Sequence, residues 1–247
     1  MENTINGKKI FLASCLNGFT APEWINCLLG ATNRLNIASV ALHPGSIDVF
    51  HARNELTAAF LGTDCTHLLF IDSDLVFTPE HIERITSHDV DLVGGCYPIK
   101  NDGPLQLAVN DYHEPKPERP DGLHQVRYVA TGFMLIARSV FERILEVDRA
   151  KIEFQSDHPP HNTIWNFFRP ELFQDKERMR RLTEDWFFCQ RWLELGGEVF
   201  VDRHVFLHHI GKCVFPLQSQ MAQMAVAAQG EPGEGHGHVF KIADMTL

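Results

Sequence analysis

The chain reads as an α/β fold: a mostly parallel sheet covered by helices on both faces. Three observations predict this. Strand-like and helix-like segments alternate along residues 9–93. Residues 67–71 form an apolar run, unbroken after the first residue, as a doubly covered strand requires. With 247 residues, 44 % of them hydrophobic, the chain can bury a sizeable core.

The elements follow in order. Residues 9–14 form a buried strand. Residues 22–35 form a helix, with Pro22 in its first turn and Thr20 as a candidate cap. Residues 37–42 are a second strand, followed by the loop His43-Pro44-Gly45-Ser46. Residues 48–61 are a second helix with Ala52, Leu56, Ala59 and Phe60 on one face. Residues 67–71 are a third strand. Thr78-Pro79-Glu80 opens a third helix, and residues 90–93 are a fourth strand.

The second half is less regular. Residues 101–121, rich in proline and polar side chains, read as loop or hairpin. Residues 126–137 are strand-like, interrupted at Thr131-Gly132. A helix over 139–147 takes Ser139 as its N-cap. Residues 151–181 lack a clean period but carry Trp165, Phe167, Phe168 and Phe173. A helix over 183–195 is capped by Thr183 and stopped at Gly196-Gly197. Residues 198–202 and 204–209 are two strands. The stretch from Gln218 onward reads as a tail, mobile in part.

Composition narrows the function. A formal net charge of -10 argues against a nucleic-acid polymer as partner, because such binders present a basic surface. None of the six cysteines forms a C-x-x-C pair, which disfavours a zinc ribbon or a thioredoxin-like site. Several lie in apolar runs, which points to a reducing, cytoplasmic setting. No run approaches a membrane span of about 20 residues, so the expectation is a soluble chain, at most peripheral to a membrane.

Asp72-Ser73-Asp74 follows the third strand directly. Ligands of such sheets bind beyond the carboxyl ends of strands, and a carboxylate pair there can hold a hard divalent cation. A strand-end turn with two exposed aspartates is the bland alternative. Asp89-Val90-Asp91 shares the pattern but precedes its strand, which suits a solvated turn. His208 and His209 end the last strand. Alternation lets only one of them face the site, and a neutral imidazole suits a manganese-like ion. Glu184 and Asp185 lie in a first helical turn, either to favour the helix dipole or to act as a catalytic carboxylate. Arg53, beside Asn54 on the second helix, can grip a phosphate or form an ordinary ion pair. Tyr97 and Lys100 can border a nucleotide or be plain loop residues. Gly132 can admit a ligand close to the backbone or mark a tight bend.

These pieces fall into one serial order: Ala52-Arg53-Asn54, then 67–74, Val93 to Lys100, Thr131 to Ile136, Glu184 to Cys189, and His209-Ile210-Gly211. In that order the chain resembles GT-A glycosyltransferases, especially bacterial and phage members with an Ala-Arg-Asn helix, over roughly residues 8–212. The resemblance implies a GT-A domain over 1–213, with 1–100 as the nucleotide-binding half, 101–213 as the acceptor and catalytic half, and 214–247 as a tail. It implies a nucleotide diphosphate-sugar donor, a glycan or other hydroxyl acceptor, and Mn2+ or Mg2+. Asp72, Asp74 and His209 would hold the metal. Arg53, Asp72, Ser73, Tyr97, Lys100 and Gly132 would line the donor site. Asp185 would be the base, with Glu184 as its rival. Trp186 is bulkier than expected beside that carboxylate. Trp165, Phe167 and Phe168 would line the acceptor side, or alternatively pack on the protein's own core.

Two other readings remain. Residues 68–78 also look like the nucleophile motif of haloacid-dehalogenase-type phosphatases, with Asp72 phosphorylated and Asp74 as acid. A sugar-nucleotide-binding module without turnover is the non-enzyme alternative. A nucleotidyltransferase is disfavoured, because Ser14-Cys15-Leu16-Asn17-Gly18 lacks the cation of a triphosphate loop.

Overall fold

The computed structural model describes residues 3–16, 20–45, 48–100, 106–114, 116–117, 119–155, 163–175 and 178–211. Met1–Gly211 form one compact unit. Its strands are β1 (Ile10–Cys15), β2 (Ser39–His43), β3 (His67–Ile71), β4 (Leu75–Val76), β5 (Leu92–Cys96), β6 (Val109–Asn110), β7 (Leu123–Val126), β8 (Tyr128–Val129), β9 (Phe133–Ala137), β10 (Glu153–Gln155), β11 (Thr163–Trp165), β12 (Glu171–Asp175), β13 (Arg178–Leu182), β14 (Val199–Phe206) and β15 (His208–His209). Its helices are α1 (Pro22–Arg34), α2 (Val49–Leu61), α3 (Pro79–Ser87), α4 (Arg138–Ile152) and α5 (Glu184–Glu194). Among the described residues, no helix is long and apolar enough to cross a membrane.

The main sheet has the order β2-β1-β3-β9-β5-β14-β7. β2, β1, β3, β5 and β14 run one way, and β9 and β7 run the other. Alternation explains the apolar runs. Phe11, Ala13, Leu68 and Phe70 pack into one core with α2, α4 and α5. Ile10, Leu12, Leu69 and Ile71 pack into the other with α1 and α3. Both faces of β1 and β3 are covered, so neither strand carries an exposed polar stripe.

The reversed β9 matters for function. Its first residue, Phe133, pairs with Ile71 at the carboxyl end of β3. Gly132 therefore arrives at the same sheet edge as Asp72, and the Asp72 amide donates to the Gly132 carbonyl at 2.8 Å.

Several expectations need correction. α1 has Ala21, not Thr20, at its N-cap, with no side-chain cap bond. α4 starts at Arg138, because that guanidinium gathers the carbonyls of Phe60, Leu61, Thr63 and Cys65. Ser139 is thus inside the helix, and its hydroxyl lies 3.2 Å from an Asp91 carboxylate oxygen. Thr183 sits at the N-cap of α5, but its hydroxyl donates to the Asp185 carboxylate instead of capping. Residues 198–206 do not split at Arg203. β14 runs through, absorbing a register shift between Asp202 and Phe206. On α2, Ala59 is only partly buried, whereas Arg53, Asn54, Thr57 and Ala58 are buried with the apolar face. The aperiodic stretch 151–181 contains two hairpins, β10–β11 and β12–β13. The tail from 212 onward, and residues 101–105, 115 and 118 of the expected 101–121 loop or hairpin, lie outside the described residues.

Candidate active site

The carboxyl ends of β1, β3 and β5, the start of β9 and the first turn of α5 converge on one edge of the sheet. Arg53 is the centre of this convergence. It is 4 % exposed, on the α2 face that packs towards β1. One guanidinium nitrogen donates to Asp72 Oδ1 at 3.1 Å and the other to Glu184 Oε1. Burial works against its charge, but the two carboxylates overcome this and raise its pKa. Arg53 is therefore a fixed cation joining the strand-end acid to the helix-start acid.

Asn54, the next residue, explains why the α2 stripe is wider than an apolar period predicts. Its amide reaches the Asn166 side chain at 3.0 Å and both backbone groups of Phe168. That pins the 163–168 segment over α2. Phe167 and Phe168 are consequently core residues, 3 % and 0 % exposed. Phe168 stacks on Phe188 with centroids 4.5 Å apart, and Phe167 packs on Phe141. Packing on the protein's own core, not an acceptor-facing surface, is thus the role of these two. Trp165 is half-buried, with its indole N–H on Glu153 at 3.1 Å.

The second acid of the Asp72-Ser73-Asp74 turn points elsewhere. Asp74 Oδ1 lies 3.4 Å from His209 Nε2, and Oδ2 accepts from Lys100 Nζ at 2.6 Å. Burial opposes the Asp74 charge, but the His209 and Lys100 hydrogen bonds outweigh it and hold the carboxyl at about 2. β15 pairs with β4, and the Ile210 amide donates to the Asp74 carbonyl at 2.7 Å. This register turns His209 inward and leaves His208 exposed. His209 Nδ1 is 2.8 Å from the Pro98 carbonyl. A carbonyl only accepts, so Nδ1 carries a hydrogen; Nε2, facing Asp74, donates to the carboxylate when it also carries one and can offer its lone pair to an ion when it does not.

That oxygen and nitrogen pair suits a manganese-like or magnesium-like ion. Asp72 is not brought to the same point, because Arg53 holds it. Among the described residues, no three His, Cys, Asp or Glu side chains gather into a metal cluster. Of the expected ligands Asp72, Asp74 and His209, Asp74 and His209 face each other here, and Asp72 sits on Arg53.

Asp185 is half-buried in the first turn of α5. It accepts from the Thr183 hydroxyl and from the Trp186 amide at 2.8 Å. Burial first, then the charge of Glu184, pushes its pKa up, against the lowering expected from a helix start. The bulk of Trp186 has a plain cause: its ring stacks on Tyr128 at 5.2 Å.

Two donor-site candidates take supporting positions. Tyr97 is buried, its ring edge-on to His209 at 5.5 Å, and its hydroxyl accepts from the Gly132 amide at 2.9 Å. It braces the site from within through Gly132 and His209. A Cβ on Gly132 would meet the Tyr97 hydroxyl at 2.3 Å, so the glycine makes room for this phenol. Ser73 is buried in the turn.

Sequence reasoning missed Cys15, at the end of β1. It is buried, and burial pushes its thiol up to about 12 despite the nearby Arg53 charge. It also missed Pro98, which acts only through its carbonyl and so leaves no side-chain signal. Its apolar neighbourhood in the sequence was the only trace of Cys15.

No family model matches the chain, and no curated protein matches it. Solved structures do. One is A197 from STIV, at 16 % identity and a TM-score of 0.49, covering 85 % of this chain and 97 % of that one. A second is GalNAc-T7 with UDP, GalNAc and Mn2+, at 9 % identity and a TM-score of 0.49; the match covers 83 % of this chain but only 44 % of that one. A third is the inositol-1-phosphate CTP transferase from T. maritima, at 9 % identity and a TM-score of 0.46, covering 92 % and 99 %.

Proposed function

We propose that the chain is a GT-A-type glycosyltransferase that moves a sugar from a nucleotide diphosphate-sugar to an acceptor hydroxyl. One observation carries this reading. A buried arginine joins Asp72 to Glu184, so the strand-end acids and the helix carrying Asp185 share a single sheet edge. That arrangement supports the reading that leaving-group stabilisation and proton removal share one space.

On this reading Asp74 and His209 would hold a divalent cation. The ion would neutralise charge on the departing diphosphate. Arg53 keeps Asp72 and Glu184 in place and adds fixed positive charge near the leaving group. Asp185 takes the proton from the acceptor hydroxyl as the hydroxyl attacks the anomeric carbon. Its raised pKa makes it a stronger base than an ordinary aspartate. Thr183 and the Trp186 amide orient that carboxylate.

The phosphatase reading asks Asp72 to be a free nucleophile, whereas its carboxylate is engaged by Arg53. The test is a thermal-shift screen of nucleoside diphosphates with and without manganese, followed by hydrolysis of the preferred nucleotide-sugar. Manganese-dependent protection and slow sugar release are expected. Phosphate release from a generic phosphoester, without nucleotide protection, would replace this reading with the phosphatase. Protection without sugar release, even with a range of acceptors, would favour the binding module.

A further inference from the structure

Each acid of the Asp72-Ser73-Asp74 turn has its own internal cation, and the two cations differ in kind. Arg53, on Asp72, is buried and also tied to Glu184. Its planar fork is locked at both ends, so it cannot leave without stranding two carboxylates. Lys100, on Asp74, has a side chain 42 % exposed at the end of a flexible four-carbon stem. The backbone leading to Lys100 is anchored separately. Tyr97 is fixed by Gly132 and by the His209 ring, the Pro98 carbonyl by His209, and the Ile99 amide by the Gln106 carbonyl at 2.8 Å. The Lys100 ammonium can therefore swing away while the chain beneath it stays in place.

We propose that Lys100 is a displaceable internal cation, which holds the Asp74 carboxylate until a divalent ion takes that position and is then released towards the donor diphosphate. This rests on the glycosyltransferase reading of the site. Three features of the geometry support it. The ammonium sits on Asp74 Oδ2 and His209 Nε2 faces Oδ1, so an ion drawn between Asp74 and His209 meets the Lys100 charge across one carboxylate and repels it. Holding Asp74 by an exposed cation spares the turn an acid without a cation two residues from Asp72, which Arg53 already holds. Released, the ammonium remains on the same sheet edge, where a diphosphate would present oxygens to it. Lys100 is then a positioning residue that couples ion binding to donor binding.

The experiment reads the lysine itself. Amine acetylation at Lys100, followed by mass spectrometry, is compared in the free protein, with saturating manganese, and with manganese plus a nucleoside diphosphate. Labelling should rise with manganese and fall again when the diphosphate is added. Asp74→Asn should label as fast as the manganese-loaded parent without any metal. In parallel, Lys100→Met should bind manganese roughly twofold to fivefold more tightly in the absence of nucleotide, the scale of a partly exposed ion pair. Manganese binding with no change in Lys100 labelling overturns the proposal. So does equal manganese affinity in parent and Lys100→Met. If manganese binds neither alone nor with a diphosphate, the site reading itself fails and the lysine's role fails with it.

Discussion

Asn54 grips Phe168 by both of its backbone groups: Nδ2 donates to the Phe168 carbonyl at 2.8 Å, and Oδ1 accepts from the Phe168 amide at 2.9 Å. The two residues lie 114 positions apart, on α2 and on the strip that follows β11. The contact fixes the strip under which the aromatic core closes. It also orders α2 at the residue next to Arg53.

The first prediction follows from that pairing. Asn54→Ala leaves a buried amide and a buried carbonyl without partners, at about 1–3 kcal/mol each. Asn54→Asp keeps an acceptor for the amide but offers no donor to the carbonyl, so it should also destabilise. Asn54→Ala should lower the urea midpoint clearly with the slope unchanged. A variant as stable as the parent would show that the strip is held by its aromatic packing alone.

Arg53 leads to the second. Arg53→Met removes the one cation shared by Asp72 and Glu184. Breaking such a buried pair costs about 3–5 kcal/mol, because a charge is left uncompensated. Arg53→Met with Glu184→Gln should recover part of that loss, since the double variant buries one fewer unpaired charge. Additive losses in a double-mutant cycle would mean that the ion pair contributes nothing beyond the two side chains' separate effects.

How much of this was visible beforehand depends on the range of the interaction. β3 and its Asp72-Ser73-Asp74 turn were legible because a short apolar run and a following acid pair are local signals. The first α/β segments were legible for the same reason. The β12–β13 hairpin was not. Its second strand, Arg178-Met179-Arg180-Arg181, puts charged residues on both faces, because Arg180 turns to Asp175 while Arg181 stays in solvent. The reversed β9 was also hidden, since its apolar run is the same read in either direction. Phe167 and Phe168 read equally as acceptor-side or core aromatics, because nothing local reveals that Asn54 seats them. The caps failed for a related reason: Ser139 and Thr183 spend their hydroxyls on Asp91 and Asp185, and a sequence does not display that competition.

The third prediction concerns stability against pH, where the two aspartates act with opposite sign. Asp74 is held at about 2, below its unfolded value near 3.9. Its contribution is present above the unfolded value and lost as pH falls towards about 2. Asp185 is raised, so its ionisation costs the folded state stability as pH rises through that pKa. Asp185→Asn should therefore raise Tm at neutral pH and lose that advantage in acid. Asp74→Asn should lower Tm at neutral pH and matter less in acid. Matching Tm-versus-pH curves for the two variants would refute this assignment of signs.

The last prediction is catalytic and rests on the proposed transfer reaction. The attacking hydroxyl must lose its proton on the side of the sugar opposite the diphosphate. Arg53 and Lys100 are cations and cannot accept it. Glu184 is adjacent in sequence, but its carboxylate is engaged by Arg53. Asp185 is oriented by Thr183 and by the Trp186 amide, and it is raised by burial and by Glu184. Asp185→Asn should lower kcat by roughly 10²–10⁴-fold, the range for losing a general base, while leaving donor affinity near the parent's. Glu184→Gln should instead act through Arg53, weakening donor binding and stability more than kcat. Thr183→Val should cost less than Asp185→Asn and move the acid limb of the pH–rate profile upward, because it removes a hydrogen bond that favours the ionised carboxylate. The acid limb itself should vanish in Asp185→Asn and persist in Glu184→Gln. Full turnover by Asp185→Asn with a true sugar acceptor, or a product that keeps the donor's anomeric configuration, would remove Asp185 from the role of base.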